Sequence, residues 1–88
     1  MQSVLYKAVK ACENEREFLS LMRTTFTDKE LEMLDERWHI FNSIAQGLPQ
    51  RTVASDNNCS IATVTRGAKA YRDHKKTVDK YLKVMFND

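Results

Sequence analysis

Residues 50–66 read QRTVASDNNCSIATVTR, a pattern typical of two short helices joined by a turn. The small side chain of Ala54 allows two helices to cross closely, and Asn57-Asn58 favours a turn because asparagine tolerates left-handed backbone better than most residues. The apolar side chains that can fill the space between the two helices are those of Val53, Cys59 and Val64. Together these features predict a helix-turn-helix over about residues 49–72.

The second helix of this pair is predicted to begin after Ser60, an N-cap candidate, and its amino-terminal face is small. The residues of this face are Ser60, Ile61, Ala62 and Thr65. Such a face can enter the major groove of DNA, which is about 12 Å wide. Arg51 can reach a phosphate or a guanine edge, and the cations that would meet backbone phosphates are Lys69, Arg72, Lys75 and Lys76. An ordinary helical hairpin packed for stability would give a similar pattern, because small-residue crossings occur in many bundles.

The positive charge of the chain is concentrated in its second half. The chain of 88 residues has a formal net charge of +2, but residues 1–47 hold six Lys and Arg against eight Asp and Glu, a balance of −2. Residues 48–88 hold eight Lys and Arg against four Asp and Glu, a balance of +4. This division favours a face that binds a polyanion, although a solvated helix surface gives a similar count.

Glycine and proline are scarce, since Gly47, Gly67 and Pro49 are the only ones in the sequence. A β-rich domain with a turn every ~8–12 residues needs more of them, so we predict an all-α fold. The length allows one small domain, residues 1–88. Glycine inside a helix costs roughly 1 kcal/mol relative to alanine. Gly67 therefore indicates a close approach of backbone, ligand, DNA or a packed side chain.

Scaffold helices are predicted over about residues 3–46 and 77–87. The first segment opens with two amphipathic helices or one bent helix, and a capping-box pattern of Thr27 and Glu30 then starts a long central helix. That helix is predicted to bury Leu31, Leu34, Trp38, Phe41, Ile44 and Ala45. Pro49 is predicted to open the next helix at its first position. Apolar residues at helical spacing in the last helix are Val78, Tyr81, Leu82, Met85 and Phe86.

Several functional classes are disfavoured by the composition. No apolar run approaches the ~18 residues needed to span a bilayer, so we expect a cytoplasmic protein without membrane association. Cys12 and Cys59 are too few and too far apart for a disulfide framework or a zinc site, and we expect buried thiols. Asp35 and His39 lie four residues apart on one predicted helix, but no nucleophile accompanies them. We therefore predict no enzymatic activity, no metal and no catalytic cofactor.

Residues 60–67, SIATVTRG, resemble the recognition-helix segment of the Trp repressor family, and residues 50–51 are similar to the opening of that family's first helix-turn-helix helix. Residues 21–22, residues 27–30 and Arg37 resemble the family's loop and central helix in order and approximate spacing. The resemblance implies an intertwined all-α homodimer whose helix-turn-helix pairs are reading heads. It further implies a transcriptional repressor that binds a palindromic double-stranded DNA operator.

The same resemblance implies a site for L-tryptophan as corepressor, with the indole held between two arginines. Arg37 and Arg66 occupy the matching positions, and Thr27 and Thr63 provide neighbouring hydroxyls. The chemistry is reasonable, because a guanidinium plane can stack on an aromatic ring and can also bind a carboxylate in bidentate fashion.

Two positions depart from what the resemblance implies for this site. Ala70 stands where the family commonly has a serine that helps to hold the ligand's ammonium group, and Phe41 stands where a smaller aliphatic residue lines the pocket. Phe41 can fill the indole space, so dependence on L-tryptophan, on another small molecule or on no corepressor all remain open. Arg37 can instead form an ion pair with acids on its own helix, and the same aromatic surface can serve a helical protein-interaction module.

Overall fold

The computed structural model describes residues 3–86, and this part of the chain contains six α-helices and no β-strand, which confirms the all-α prediction. The helices are α1 (Val4–Ala11), α2 (Glu15–Thr25), α3 (Asp28–Ala45), α4 (Gln50–Asp56), α5 (Ile61–Asp73) and α6 (Lys75–Phe86). None of these described helices is long and apolar enough to cross a membrane. The predicted domain of residues 1–88 and the predicted helix end at residue 87 reach beyond the described residues. The chain divides into two compact units, one up to Met33 and one from Leu34 onward.

In the first unit, α1 and α2 are separate helices rather than one bent helix. Cys12 has extended backbone and ends α1, while Asn14 is the N-cap of α2. The Asn14 side chain accepts a hydrogen bond from the Glu17 backbone N–H at 2.9 Å, and the Glu13 N–H donates to Glu17 Oε1 at 3.1 Å. These reciprocal bonds satisfy backbone donors that a new helix leaves free, and they explain why the chain restarts a helix here.

The predicted capping box at the start of α3 is confirmed. The Thr27 backbone N–H donates to Glu30 Oε1 at 2.8 Å, and the Glu30 N–H donates to Thr27 Oγ1 at 3.1 Å. The bond from the Thr27 backbone, followed by the interaction with its side chain, lowers the pKa of the Glu30 carboxyl. Helix α3 therefore begins at Asp28 for a local reason that the sequence pattern contains.

In the second unit, α3 packs with two different groups of apolar residues. The first, which we call the α4–α5 cluster, is formed by Ile40, Val53, Ala54 and Val64, with Ile44 and Cys59 packed against it. The second, which we call the Phe41 cluster, is formed by Phe41, Val78 and Leu82, with Trp38, Ala70, Tyr71 and Phe86 packed against it. A central helix buried on two sides presents a wide apolar arc, and adjacent residues of α3 can therefore belong to different clusters.

This arrangement corrects part of the predicted core. Ile40 is only 2% exposed, although the single apolar stripe predicted for α3 omitted it. Leu34 is 44% exposed and Ala45 is also exposed, whereas both were predicted to be buried. The prediction of a single apolar stripe implied that α3 packs on one side only. Ile40 lies on a second side, which packs against α4 and α5. The predicted interior of the helix pair, Val53, Ala54, Cys59 and Val64, is confirmed.

The turns on either side of α4 follow from three residues. Gly47 adopts φ +81°, as predicted for a residue just past a helix end, and Asn58 adopts φ 52° in the turn before α5. Pro49 has φ −60° and ψ 147° and is the N-cap of α4, so its predicted position as the first helical residue was wrong. The ψ angle of Pro49 is extended rather than helical, so Pro49 itself lies outside the helix. Its carbonyl still accepts the first hydrogen bond of the helix, from the Val53 N–H.

The boundary between α5 and α6 is tighter than predicted. Helix α5 continues to Asp73 rather than residue 72, and α6 begins at Lys75 rather than residue 77. His74 alone separates them, with its N–H donating to the Ala70 carbonyl at 3.0 Å and its carbonyl accepting from the Val78 N–H at 2.9 Å. The side chains of residues 73–76 are polar and all exposed, and exposed polar residues are compatible with helix, so the helices extend further than predicted.

Gly67 is buried in the middle of α5 because a side chain of α3 occupies the neighbouring space. A Cβ atom at this position would lie 2.9 Å from Cγ2 of Ile40, a distance that real Cβ atoms essentially never show. The close approach predicted at Gly67 is therefore that of a packed side chain, Ile40. Gly67 thus sets the close approach of α3 and α5 within the second unit.

The two cysteines are free thiols and only half-buried, so the expectation that they are buried was too strong. Cys12 donates to the Ala8 carbonyl at 3.4 Å. Partial burial, and secondarily the negative charge of Glu36, raise the pKa of the Cys59 thiol. Cys59 thus serves as an apolar side chain against the α4–α5 cluster.

Candidate nucleic-acid interface

The amino-terminal end of α5 is an exposed face with a buried back. Ser60 Oγ accepts a hydrogen bond from the Thr63 backbone N–H at 3.1 Å, which confirms the predicted cap. The side chains on the outer face are exposed, namely those of Ser60, Ile61, Ala62 and Thr65. Val64 is fully buried, which anchors the same turns of α5 to the α4–α5 cluster. Ile61 is 48% exposed, so an apolar side chain stands at the tip of this face.

Gln50 joins this face to the start of α4. The Thr65 hydroxyl lies 3.1 Å from Gln50 Oε1 and 2.9 Å from the Ile61 carbonyl, so its single proton can be donated to either acceptor. The contact with Gln50 spans fifteen residues of sequence and ties the two helices together at their exposed side. The sequence does not indicate this contact, because helical periodicity relates residues of one helix and not residues of two different helices.

The cations predicted near this face differ in their partners. Arg51 and Lys69 are both exposed. Lys69 Nζ forms a salt bridge with Asp73 Oδ2 at 2.8 Å, and Lys75 Nζ forms one with Asp79 Oδ2 at 2.6 Å. No salt bridge within residues 3–86 includes Arg51, Arg72 or Lys76. Two of the expected phosphate-binding lysines thus each have an acid one turn further along their helix.

The hydrogen bond from Lys69, followed by the attraction of its charge, lowers the pKa of the Asp73 carboxyl. Asp73 is therefore ionised at neutral pH and forms an ion pair with Lys69. Both side chains are largely solvent-exposed, at 70% for Lys69 and 44% for Asp73. An exposed pair of this kind contributes little to stability and can be exchanged for a phosphate partner.

A polar cluster lies at the joint between α5 and α6. Tyr71 Oη donates to Asp79 Oδ1 at 2.6 Å, and Lys75 donates to the other oxygen of the same carboxylate. Lys75 Nζ also lies 5.8 Å from the centroid of the Tyr71 ring. The hydrogen bond to Asp79 is the main reason that the pKa of Tyr71 is raised. The bonds from Lys75 and then Tyr71 lower the pKa of Asp79.

The four residues expected to bind L-tryptophan are found in different settings. Arg66 Nη2 donates to Thr63 Oγ1 at 3.4 Å, so these two residues of α5 are in contact. The guanidinium carbon of Arg37 lies 5.7 Å from the centroid of the Phe41 ring. Within residues 3–86, Arg37 forms no salt bridge, so an ion pair with acids on its own helix is not observed. Thr27 belongs to the first unit, where it caps α3.

A comparison with models of protein families finds one whose description is Trp repressor protein, matching residues 2–85. The chain belongs to the Trp repressor family. This is a family of DNA-binding transcriptional repressors, regulatory rather than enzymatic, and its known members bind L-tryptophan as corepressor. Comparisons with curated proteins and with solved structures returned no significant match. The exposed face of α5 thus occurs in a member of the Trp repressor family.

Proposed function

We propose that the chain is a sequence-specific transcriptional repressor that reads duplex DNA with the α4–α5 pair as a helix-turn-helix. The exposed amino-terminal face of α5 carries the proposal. Its small side chains stand on a fully buried Val64, so the face is held rigidly by the helix behind it. The hydrogen bond between Gln50 and Thr65 adds a second tie at the exposed edge. A rigid, narrow and exposed helix end suits insertion into a major groove.

In this proposal the residues of the face have different roles. Thr65 and Ile61 are suited to base edges, because a hydroxyl can accept or donate a hydrogen bond and an apolar side chain can contact a thymine methyl. Ser60 and Ala62 are small enough to let the helix approach the base pairs closely. Arg51 and Lys69 contribute charge at the phosphates, which makes the affinity dependent on salt.

The proposal includes a homodimer acting on a palindromic operator in the cytoplasm. Large apolar side chains are exposed on both units, including Val4 at 80%, Tyr6 at 64%, Met33 at 59% and Val84 at 76%. Scattered apolar residues are ordinary on a protein surface, but so many on a small chain favour burial against a second copy. Two-fold symmetry of the protein would then be mirrored in the operator sequence.

A helical protein-interaction module that does not bind DNA is the competing function, because the same exposed apolar residues could contact another protein. The dependence of binding on salt concentration distinguishes these two functions. DNA binding is expected to weaken steeply as salt rises, since bound cations of the protein release counterions from the phosphates. A contact through apolar surface is expected to respond little to the same change.

The test begins with selection of bound duplexes from a random DNA pool by the full chain. We expect an enriched two-fold symmetric sequence whose affinity falls steeply with salt. Arg51→Ala and Thr65→Ala should each weaken binding of the selected duplex by about 1–3 kcal/mol if these side chains touch base edges. Lys29→Ala on α3 is the matched control, because Lys29 is an exposed lysine that lies outside the α4–α5 pair and outside α6.

Two results would contradict the proposal. If no sequence is enriched, or if the salt dependence is weak, the chain does not act by reading DNA. If sequence preference is unchanged in both Arg51→Ala and Thr65→Ala, the reading face is assigned to the wrong residues.

A further inference from the structure

The two residues that depart from the family's ligand site lie together in this protein. Phe41 is 5% exposed and belongs to the cluster with Val78 and Leu82, and Ala70 packs against that same cluster. A methyl group and a phenyl ring therefore share one apolar cluster where the resemblance implies a hydroxyl and open space for an indole. The two departures act as one change toward apolar packing.

The Phe41 ring already provides an aromatic partner for Arg37. The Arg37 guanidinium carbon lies 5.7 Å from the Phe41 ring centroid, within the range of a cation–π contact. Trp38 packs against the same ring in an edge-on arrangement, with centroids 5.2 Å apart and planes at 89°. A fully packed ring held by neighbours on several sides has little freedom to leave this position.

Two polar residues of the site, Arg66 and Thr63, contact other side chains of the same stretch of the chain. Arg66 contacts Thr63, and Thr63 Oγ1 also lies 2.9 Å from Ser60 Oγ. Ala70 offers no hydroxyl to an ammonium group, and the Phe41 ring lies beside Arg37, where the resemblance implies an indole. The residues present do not fit L-tryptophan.

Phe41 also links α3 to the helix that carries the exposed face. Its ring centroid lies 6.5 Å from that of Tyr71 on α5. The neighbouring residue of α3, Ile40, packs against Gly67 of α5. These contacts pack α5 against α3 through side chains of the chain itself. A ligand that stabilises one arrangement of two helices is unnecessary when the chain already stabilises it.

We propose that Phe41 takes the place of a ligand's aromatic ring, so that the affinity of this repressor for DNA does not depend on L-tryptophan. The inference rests on the proposed DNA-binding function and concerns its regulation. It assigns Phe41 as a positioning residue, which acts on DNA binding through the placement of α5.

The first experiment measures L-tryptophan binding by the full chain directly, by calorimetric titration without DNA. We expect no saturable heat at millimolar L-tryptophan. A second measurement compares the affinity for the selected duplex with and without millimolar L-tryptophan, and we expect the two affinities to agree within about twofold. Saturable binding of the amino acid, or DNA binding that tightens about tenfold in its presence, would overturn the inference.

These measurements separate the inference from the proposed function. DNA binding seen only with L-tryptophan would contradict the inference and support the function. Absence of DNA binding under both conditions would contradict the function and with it the positioning role of Phe41, while the calorimetric result would still decide whether the site accepts the ligand.

Variants test the positioning role. Phe41→Leu is expected to weaken binding of the selected duplex about tenfold while the helical circular dichroism spectrum is retained. Leu82→Ala is the matched control, since it removes volume from the same cluster on α6 and leaves the ring beside Arg37 in place. Both variants are compared at a temperature at which each is fully folded. Equal losses of DNA affinity in the two variants, or no loss in Phe41→Leu, would overturn the role assigned to Phe41.

Discussion

Gly67 is the residue on which the packing of α5 against α3 depends most directly. We expect Gly67→Ala to destabilise the fold by about 1–2 kcal/mol, although alanine is the better helix former, because overpacking a well-packed core outweighs the gain in propensity. The new Cβ would meet Ile40 Cγ2 at 2.9 Å, and Ile40 is only 2% exposed and has little room to move. Urea denaturation followed by circular dichroism measures the change.

The Ile40→Ala background is the control for this prediction, because it removes the methyl group that the new Cβ would meet. In that background the cost of Gly67→Ala should disappear. A Gly67→Ala variant as stable as the natural chain, or an equal cost in both backgrounds, would show that another contact explains the glycine.

At the scale of residues, local signals were readable from the sequence and non-local ones were not. The caps at Thr27 and Ser60 were predicted because cap and partner lie three residues apart. The burial of Ile40 was missed because it depends on which side of α3 meets α4 and α5. The pairing of Arg37 with Phe41 follows the spacing of one helical turn, but nothing in that spacing selects it over ion pairs with nearby acids.

At the scale of elements, α5 ends in a salt bridge that restrains one of its cations. We expect Asp73→Asn to strengthen binding of the selected duplex several-fold, because Lys69 then contacts a phosphate without losing its salt bridge to Asp73. The plot of log affinity against log salt should become steeper by up to ~0.9, the contribution of one phosphate contact. Asp35→Asn is the matched control, since it changes the net charge equally on an exposed acid of α3. A similar gain in both variants would indicate general electrostatics instead of Lys69.

The joint between α5 and α6 gives a prediction about pH. The pKa of Asp79 is lowered in the folded chain, chiefly by the hydrogen bond from Lys75, so its contribution to stability is present above the ordinary carboxyl pKa and is lost as pH falls through the lowered one. We expect the Tm difference between the natural chain and Asp79→Asn to shrink as pH falls from neutral into this acidic range. A difference independent of pH would show that the carboxylate charge plays no part.

The helix boundaries were predicted best where the chain changes direction. Gly47 and Asn58 have left-handed backbone, which few residue types adopt, and both turns were therefore visible in the sequence. The link between α5 and α6 needs only His74, and a single residue between two helices leaves no compositional signal. The contact between Gln50 and Thr65 was invisible for a related reason, because it joins two helices whose relative placement the pattern leaves open.

At the scale of the whole molecule, we expect the chain to sediment as a homodimer. Helix α6 has exposed apolar residues spaced three and four apart, Tyr81 at 44%, Val84 at 76% and Met85 at 50%, and such a face is stabilised when a second copy covers it. Sedimentation equilibrium should give twice the mass of the chain at micromolar concentration. Val84→Asp should shift the equilibrium toward the monomer, because a carboxylate in an apolar interface loses its hydration.

Lys83→Gln is the matched control for this prediction, since it changes the charge of the same exposed stretch by the same amount without adding a carboxylate. It should leave the dimer intact. Because two reading heads on one operator bind more tightly than one, Val84→Asp should also weaken binding of a full palindrome far more than binding of a half-site. A natural chain that sediments as a monomer, or a palindrome bound no more tightly than its half-site, would contradict the two-fold assembly and leave each α4–α5 pair to act alone.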